Sequence, residues 1–453
     1  MSDIRAIQYL GSKLNLKDTI SSTITNLAGK DSVIVDGFAG TGVVGNELKD
    51  KFKIISNDIQ MYSSLINEVL LDSEMQETAM SLSLSVDIFQ SQSYTNNLSV
   101  LRGLFKEPCE YEEKVIKEEN YYKLALLAES EIFFNNMNFK FQTEDSNYSE
   151  INQVYSSVMY LFTDEQIREL RKENGVSMLF TLYYLNGYFS LSQCIEIDSI
   201  RRAIEVIPNI KEKKLALFLL LHAVSEATCA VGKQFAQPIR LLGSDGKVKR
   251  AASKRTFRDW NVSIRSKMEQ MLERLLNETK IAKYENEVYN KDFFDLVEIF
   301  SGGDNLIYYL DPPYTIDHYS RFYHVLETLI LYDYPDLEVG KLGGHYRLLR
   351  GRYRNDRTQS KYSIPSKARF EFEKVFKKIS ETGASLVLSY SEASGEGRAR
   401  LITKEELIDL LEENFDTVES YEINHSYRRL NKEELNFSSA LTRELLFYGV
   451  NNG

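Results

Sequence analysis

The chain has 453 residues, 43% of them hydrophobic and 27% charged, and a formal net charge of −11 at pH 7. That length holds two or three domains with ample apolar material for their cores. The acidic balance excludes a protein coated in nucleic acid, yet leaves room for local basic surfaces, because local charge decides such contacts. Cys109, Cys194 and Cys229 are scattered and, with the five histidines, form no metal-ligand spacing, so no metal is expected. Reduced thiols in a cytoplasmic protein are the expectation. The N-terminus lacks the apolar core of a signal peptide, and the longest apolar run, 215–224, is about half of what a membrane span needs.

In chain order, residues 8–13 read QYLGSK and precede 14–27, whose apolar residues fall at helical spacing. A Gly-Ser-Lys turn before a helix offers backbone amides and an ammonium to a carboxylate. Residues 32–35 form a β-branched strand, followed by Asp36-Gly37-Phe38-Ala39-Gly40-Thr41-Gly42 and a helix to about Lys49. Strand, glycine turn and helix make the first unit of a nucleotide-type site, where glycines let the backbone approach a ligand closely. A second strand, 52–55, leads to Asp58, which follows Asp36 at roughly the 20-residue distance of an acid that binds ribose hydroxyls. An acid at this position also serves as an ordinary helix cap.

After a helix at 61–71 the α/β rhythm stops. Residues 76–285 read as mostly helical, with helices at 113–134, 164–172, 197–207, 213–231 and 259–277 and polar loops at 91–97 and 142–148. Thr163 and Gln166 resemble a capping box. Gly243-Ser244-Asp245-Gly246 is a hairpin tip within a basic stretch, in which Arg240, Lys247, Lys249, Arg250, Lys254, Arg255 and Arg258 face one acid, Asp245. With Lys233, this stretch is the candidate reader of a nucleic-acid groove, although a charge run is equally a solvated face.

The α/β pattern resumes at 287–294, read as a strand that ends in Asp292 and Phe293. Residues 306–310 (LIYYL) have the continuous apolar character of a buried parallel strand. At its carboxyl end, where ligands of α/β sheets sit, stand Asp311, Pro312, Pro313 and Tyr314. Two prolines stop strand and helix alike and stiffen the loop. A ring- and cation-rich segment follows, including Arg321, and then a second basic stretch with Arg350, Arg352 and Arg354 reads as a backbone clamp. Pro335-Asp336 with Glu338 and Lys341 has the wrong spacing, and no intervening strand, for a nuclease signature. Residues 385–389 and 417–424 read as the final strands.

Asp311 to Tyr314 in this setting resemble the catalytic motif of amino-methylating DNA methyltransferases. Residues 8–13 are similar to the N-terminal Tyr-x-Gly-Ser-Lys element of the Dam-like members, 36–42 to their Asp-Pro-Phe-Ala-Gly-Ser-Gly run, with Gly37 in place of proline and Thr41 in place of serine, and Arg428 and Arg429 with 441–449 to their closing β-hairpin. The order of motifs matches the alpha arrangement, in which target recognition lies between the two catalytic halves. The resemblance implies a doubly wound, mostly parallel Rossmann-like sheet with an antiparallel C-terminal hairpin and a large helical insertion. It divides the chain at 1–75, 76–285 and 286–453. It implies N6-adenine methylation of double-stranded DNA from S-adenosylmethionine, with base flipping, within a restriction-modification or related system. A cognate restriction endonuclease is then a functional partner, while the motifs are silent on oligomeric state and monomeric action on DNA is the default expectation. Tyr9, Lys13, Asp36, Phe38, Ala39, Gly40, Thr41, Gly42, Asp58, Asp292, Phe293 and Asp311 would line the cofactor, and Tyr314 would stack on the base. The neighbouring readings are N4-cytosine methylation and a DNA-binding protein that keeps only the cofactor pocket.

Overall fold

The computed structural model describes residues 4–130, 146–159, 175–278, 280–300, 305–313, 316, 318–342, 345–391, 401–426 and 441–451. Tyr314, the helix expected at 164–172 with its Thr163 and Gln166 box, and the arginines at 428 and 429 lie outside them. The chain forms two compact units, one of residues 1–77, 278–322 and 357–453, the other of 78–277 and 323–356.

The first unit is built on a seven-stranded sheet. Its strands are β1 (Val33–Asp36), β2 (Lys53–Asn57), β3 (Glu287–Tyr289), β4 (Leu306–Leu310), β7 (Ser385–Ser391), β8 (Thr417–Ser426) and β9 (Leu441–Val450). A separate antiparallel pair, β5 (Val339–Leu342) and β6 (His345–Leu348), belongs to the second unit. The order in the large sheet is β3-β2-β1-β4-β7-β9-β8. The first five strands run parallel, and β9 pairs antiparallel with both β7 and β8. This is the expected doubly wound sheet with a terminal hairpin. β1 and β4 are adjacent, with Asp36 opposite Tyr309, so the chain reverses its winding direction beside them.

Side chains alternate across each strand, and the two faces bury different helices. Val35, Ile55, Tyr308, Leu310 and Leu388 pack on one face with the helices Phe293–Ile299, Ala368–Glu381 and Lys404–Glu412. Ile34, Ile54, Ile307, Tyr309, Val387 and Leu446 pack on the other with Lys17–Leu27 and Val43–Leu48. Each such aliphatic side chain contributes about 2 kcal/mol by leaving water. Asp36 and Asp311 have the parity of Ile34 and Tyr309, so they continue the second face past the strand ends.

Several local readings change: the helix expected at 113–134 is divided into Lys106–Lys117 and Tyr121–Glu129, and that at 259–277 into Arg250–Trp260 and Ile264–Glu278. The stretch at 287–294 is not one strand, because β3 ends at Tyr289 and Asp292 instead caps the helix Phe293–Ile299, its carboxylate accepting from Phe294 N at 3.1 Å. The polar segment 91–97 begins the helix Gln92–Leu104, whose start Ser91 caps through Tyr94 N. Residues 323–356 join the helical unit because the apolar helix His324–Leu331 buries Val325, Leu326 and Leu329 there. In that unit the basic hairpin forms as expected, with Leu242 bridging Val248 and Gly243 N donating to Lys247 O. Among the described residues no helix is long and apolar enough to cross a membrane.

Candidate active site

A cavity of about 280 Å³ opens at the carboxyl ends of β1, β2 and β4. Among its lining residues are Tyr9, Lys13, Asp36, Phe38, Ala39, Gly40, Thr41, Asp58, Asp292, Phe293, Asp311, Pro312 and Pro313. Sequence positions spread over some three hundred residues are thus brought together by the strand order, since loops that follow parallel neighbours open on the same edge.

The glycine turn is shaped by its neighbours. Gly40 and Gly42 have φ of +52° and +70°, a region that L side chains rarely adopt. A Cβ at Gly40 would also come within 3.0 Å of the Tyr9 ring. Gly40 N donates to Asp58 Oδ2 at 2.9 Å, and Gln60 N donates to Asp58 Oδ1 at 2.9 Å. Asp58 therefore holds the turn as well as lining the cavity, and burial raises its pKa in spite of those bonds. Behind it, buried Asn57 donates to Gly37 O and Lys291 O, tying the turns after β1 and β3 together.

Gly37 has a physical reason to be glycine. A Cβ there would stand 2.3 Å from the Phe293 ring and 2.8 Å from Leu310. That ring meets Phe38 at 5.0 Å between centroids, and Phe38 meets Tyr362 edge-on at 5.1 Å, so three aromatics form one wall. The opposite rim has Tyr9 and Tyr319 at 5.8 Å.

Four ionisable groups gather on the inner side. Asp36 is 1% exposed, and its Oδ1 is buried without a hydrogen-bond partner. Burial, reinforced by the charge of Asp311, pushes its carboxyl up to about 8, so near neutral pH it holds a proton. Asp311 is raised to about 6, chiefly by burial, with the Lys13 ammonium opposing the shift and Glu444 adding to it. Lys13 Nζ lies 2.9 Å from Asp311 Oδ1 and 3.0 Å from Glu444 Oε1. Ser389 Oγ donates to the same Glu444 oxygen at 2.8 Å. Asp292, besides capping its helix, accepts from Lys361 Nζ at 3.2 Å.

Sequence reasoning missed Glu444, Ser389 and the segment 358–363, which lines the cavity with Thr358, Gln359, Ser360, Lys361, Tyr362 and Ser363. None carries a motif. Only the alternation of a strand beginning at 441 hints that Glu444 shares a buried face with Leu446.

The basic residues separate into two groups. Arg240, Lys247, Lys249 and Arg250 are exposed on and beside the hairpin of the helical unit. Lys233 and Arg255 turn inward, where they pair with buried Asp259 at 3.1 and 3.5 Å and donate to backbone carbonyls. The clamp expected of Arg350, Arg352 and Arg354 is corrected by the geometry. Arg350 pairs with Glu129 and donates to Ile239 O. Arg352, 3% exposed, donates to Tyr183 O and Leu185 O at 2.8 and 2.7 Å. Arg354, 4% exposed, forks onto Asp333 and Asp356. Buried carbonyls and carboxylates need donors, and these guanidiniums supply them inside the unit. Arg321 is half-buried in the first unit.

Comparison with known proteins agrees with this geometry. Residues 9–186 and 247–397 match the D12 class N6 adenine-specific DNA methyltransferases. The chain is 26% identical over 405 residues to the modification methylase LlaI of Lactococcus lactis subsp. lactis, covering 89% of this chain and 48% of that one. It is 27% identical over 339 residues to the type II methyltransferase M.FokI of Planomicrobium okeanokoites, covering 74% and 38%. With M.NlaIII of Neisseria lactamica it shares 24% over 331 residues, covering 72% and 70%. The chain thus spans about half or less of the length of the first two relatives. From its motifs, its sheet and this match over most of its length, the chain belongs to the D12 class N6 adenine-specific DNA methyltransferase family.

Proposed function

We propose that this chain transfers a methyl group from S-adenosylmethionine to the N6 amine of adenine in duplex DNA, within a restriction-modification or related system. The observation that carries the reading is the convergence of Asp36, Asp58, the glycine turn and Asp311 on one cavity at the switch point of the sheet.

The cavity suits S-adenosylmethionine in two respects. The orphaned Asp36 Oδ1 offers an ammonium a buried acceptor, and the left-handed Gly40 leaves backbone where a side chain would stand, whereas Gly42, expected to line the cofactor, faces Asn67 and does not line the cavity. Asp36 would receive the methionine ammonium, Asp58 the ribose hydroxyls, Asp292 the adenine amine, and Phe38 and Phe293 the purine face. When bound, S-adenosylmethionine supplies an electrophilic methyl carbon. The protein's own part is orientation. The Asp311 carboxylate and the Pro312 carbonyl accept the two hydrogens of the target amine, which localises the nitrogen lone pair. Asp311 then takes the proton that the nitrogen gives up. The target base swings out of the duplex to reach this edge, and Tyr314 is assigned its stacking partner. Exposed Arg240, Lys247, Lys249 and Arg250 contact phosphates.

The test is methyl transfer from labelled S-adenosylmethionine to mixed-sequence duplex DNA, followed by nucleoside analysis. N6-methyladenine is the expected product. N4-methylcytosine would keep the amine chemistry and overturn the base assignment, and no labelled nucleoside at all would overturn the reading.

A further inference from the structure

Glu444 lies far from every motif in sequence yet sits beside the proposed reacting group. The reason is topological. β9 runs antiparallel to β7, so its first residues lie at the carboxyl ends of the parallel strands. Glu444 is opposite Ser391, and Ser389 is its diagonal neighbour on the same face, within side-chain reach. That face also carries Asp36 and Asp311, and Lys13 enters it from the turn before the helix Lys17–Leu27.

Glu444 is 4% exposed and does not line the cavity, so it stands behind Lys13 and away from any ligand there. Its carboxylate accepts from Ser389 Oγ at 2.8 Å and pairs with Lys13 Nζ at 3.0 Å. The same ammonium, 6% exposed, reaches Asp311 Oδ1 at 2.9 Å. One buried cation is therefore shared between two carboxylates, of which only Asp311 faces the cavity.

We infer that Glu444, anchored by Ser389, is a positioning residue that sets the charge and orientation of Asp311 through the shared ammonium of Lys13. This inference rests on the proposed amine methylation. Dividing the cation leaves Asp311 more basic than a fully paired carboxylate, and so a better acceptor for an amine proton near neutral pH. Among the described residues, the ionisable groups that interact with Asp311 are Lys13 before the first helix, Asp36 on β1, Tyr309 on β4 and Glu444 on β9. Tyr309 titrates far above the working range, and in the ligand-free protein Asp36 is held protonated by its burial. Lys13 and Glu444 are thus the two charges that tune it.

The test compares pH profiles of methyl transfer for the unaltered chain, Glu444→Gln and Lys13→Met. Glu444→Gln keeps the Ser389 hydrogen bond but removes the carboxylate that competes with Asp311 for Lys13. Its acid limb moves down by about 1 pH unit, while Lys13→Met moves it up by a similar amount. Ser389→Ala moves it in the same direction as Glu444→Gln, by less. A ligand-free readout accompanies this: the difference in Tm between each protein and its Asp311→Asn counterpart, followed against pH, reports the Asp311 titration by linkage. An unmoved limb with lower activity at every pH, or shifts of the same sign in Glu444→Gln and Lys13→Met, would overturn the inference. No methyl transfer by the unaltered chain would overturn the functional reading, and the ligand-free titration would still decide the coupling.

Discussion

Two clusters of buried cations repay comparison, the Lys13–Asp311–Glu444 group of the sheet unit and the Arg350–Arg352–Arg354 group of the helical unit. Both place long basic side chains inside the protein. In the first, one ammonium serves two carboxylates, and Asp311 still faces a cavity. In the second, the guanidinium of Arg354 is matched by two carboxylates, and that of Arg352 donates to two carbonyls. A cluster left short of cation keeps a carboxylate basic and raises its pKa. A cluster with its donors and acceptors matched braces the chain. Charge density in the sequence is high in the second and low in the first, the reverse of their chemical use.

The largest effect that could break this comparison is at Asp311. Replacing it with alanine lowers methyl transfer by on the order of 10³-fold, while S-adenosylmethionine affinity, read by calorimetry, stays within a few-fold. Unchanged turnover in that variant would remove Asp311 from the chemistry.

Next comes Arg354. Leucine there leaves two part-exposed carboxylates without their partner and costs about 2 kcal/mol in urea denaturation, less than a fully buried pair because water reaches both acids. DNA affinity of the folded variant should hold, and a loss of affinity without a loss of stability would restore the phosphate-clamp reading.

Gly37→Ala sets a Cβ against the Phe293 ring and costs about 2 kcal/mol by overpacking. Adding Phe293→Leu should return part of that stability, and the double-mutant cycle measures how much.

Replacing Lys247, Lys249 and Arg250 together with alanine lowers the slope of log affinity against log salt by up to roughly 2.7, with Tm nearly unchanged. An unaltered slope would move the DNA surface elsewhere.

The last prediction concerns pH. The Asp36 pKa is raised from 3.8 to about 8, so its contribution to stability is fully present below pH 3.8 and is lost as pH rises through 8. Asp36→Asn removes that dependence, and the stabilities of the two proteins should draw apart between pH 4 and 8. Parallel curves would mean that Asp36 is ionised at neutral pH.

The cavity edge of the sheet was legible in the sequence because it rests on short-range rules. Buried apolar runs mark β1, β2 and β4, and the acid or glycine that follows each run lands at the strand end wherever the strand goes. Asp36, Asp58 and Asp311 share an edge because all three strands run parallel. Asp292 was legible as a site position but not as a helix cap, since an acid before an aromatic pair ends a strand or opens a helix with equal ease.

Other features were decided by tertiary structure alone. Glu444 meets Lys13 because an antiparallel strand inserts between β7 and β8, and no local pattern encodes that neighbour. Whether Arg352 and Arg354 reach solvent depends on which carbonyls and carboxylates the folded chain leaves in need of donors. The same holds for Lys233 and Arg255 around Asp259. Residue type and spacing determined where groups lie along a strand, because backbone geometry repeats. Burial and pairing are properties of elements packed from distant parts of the chain, and only the assembled fold decided them.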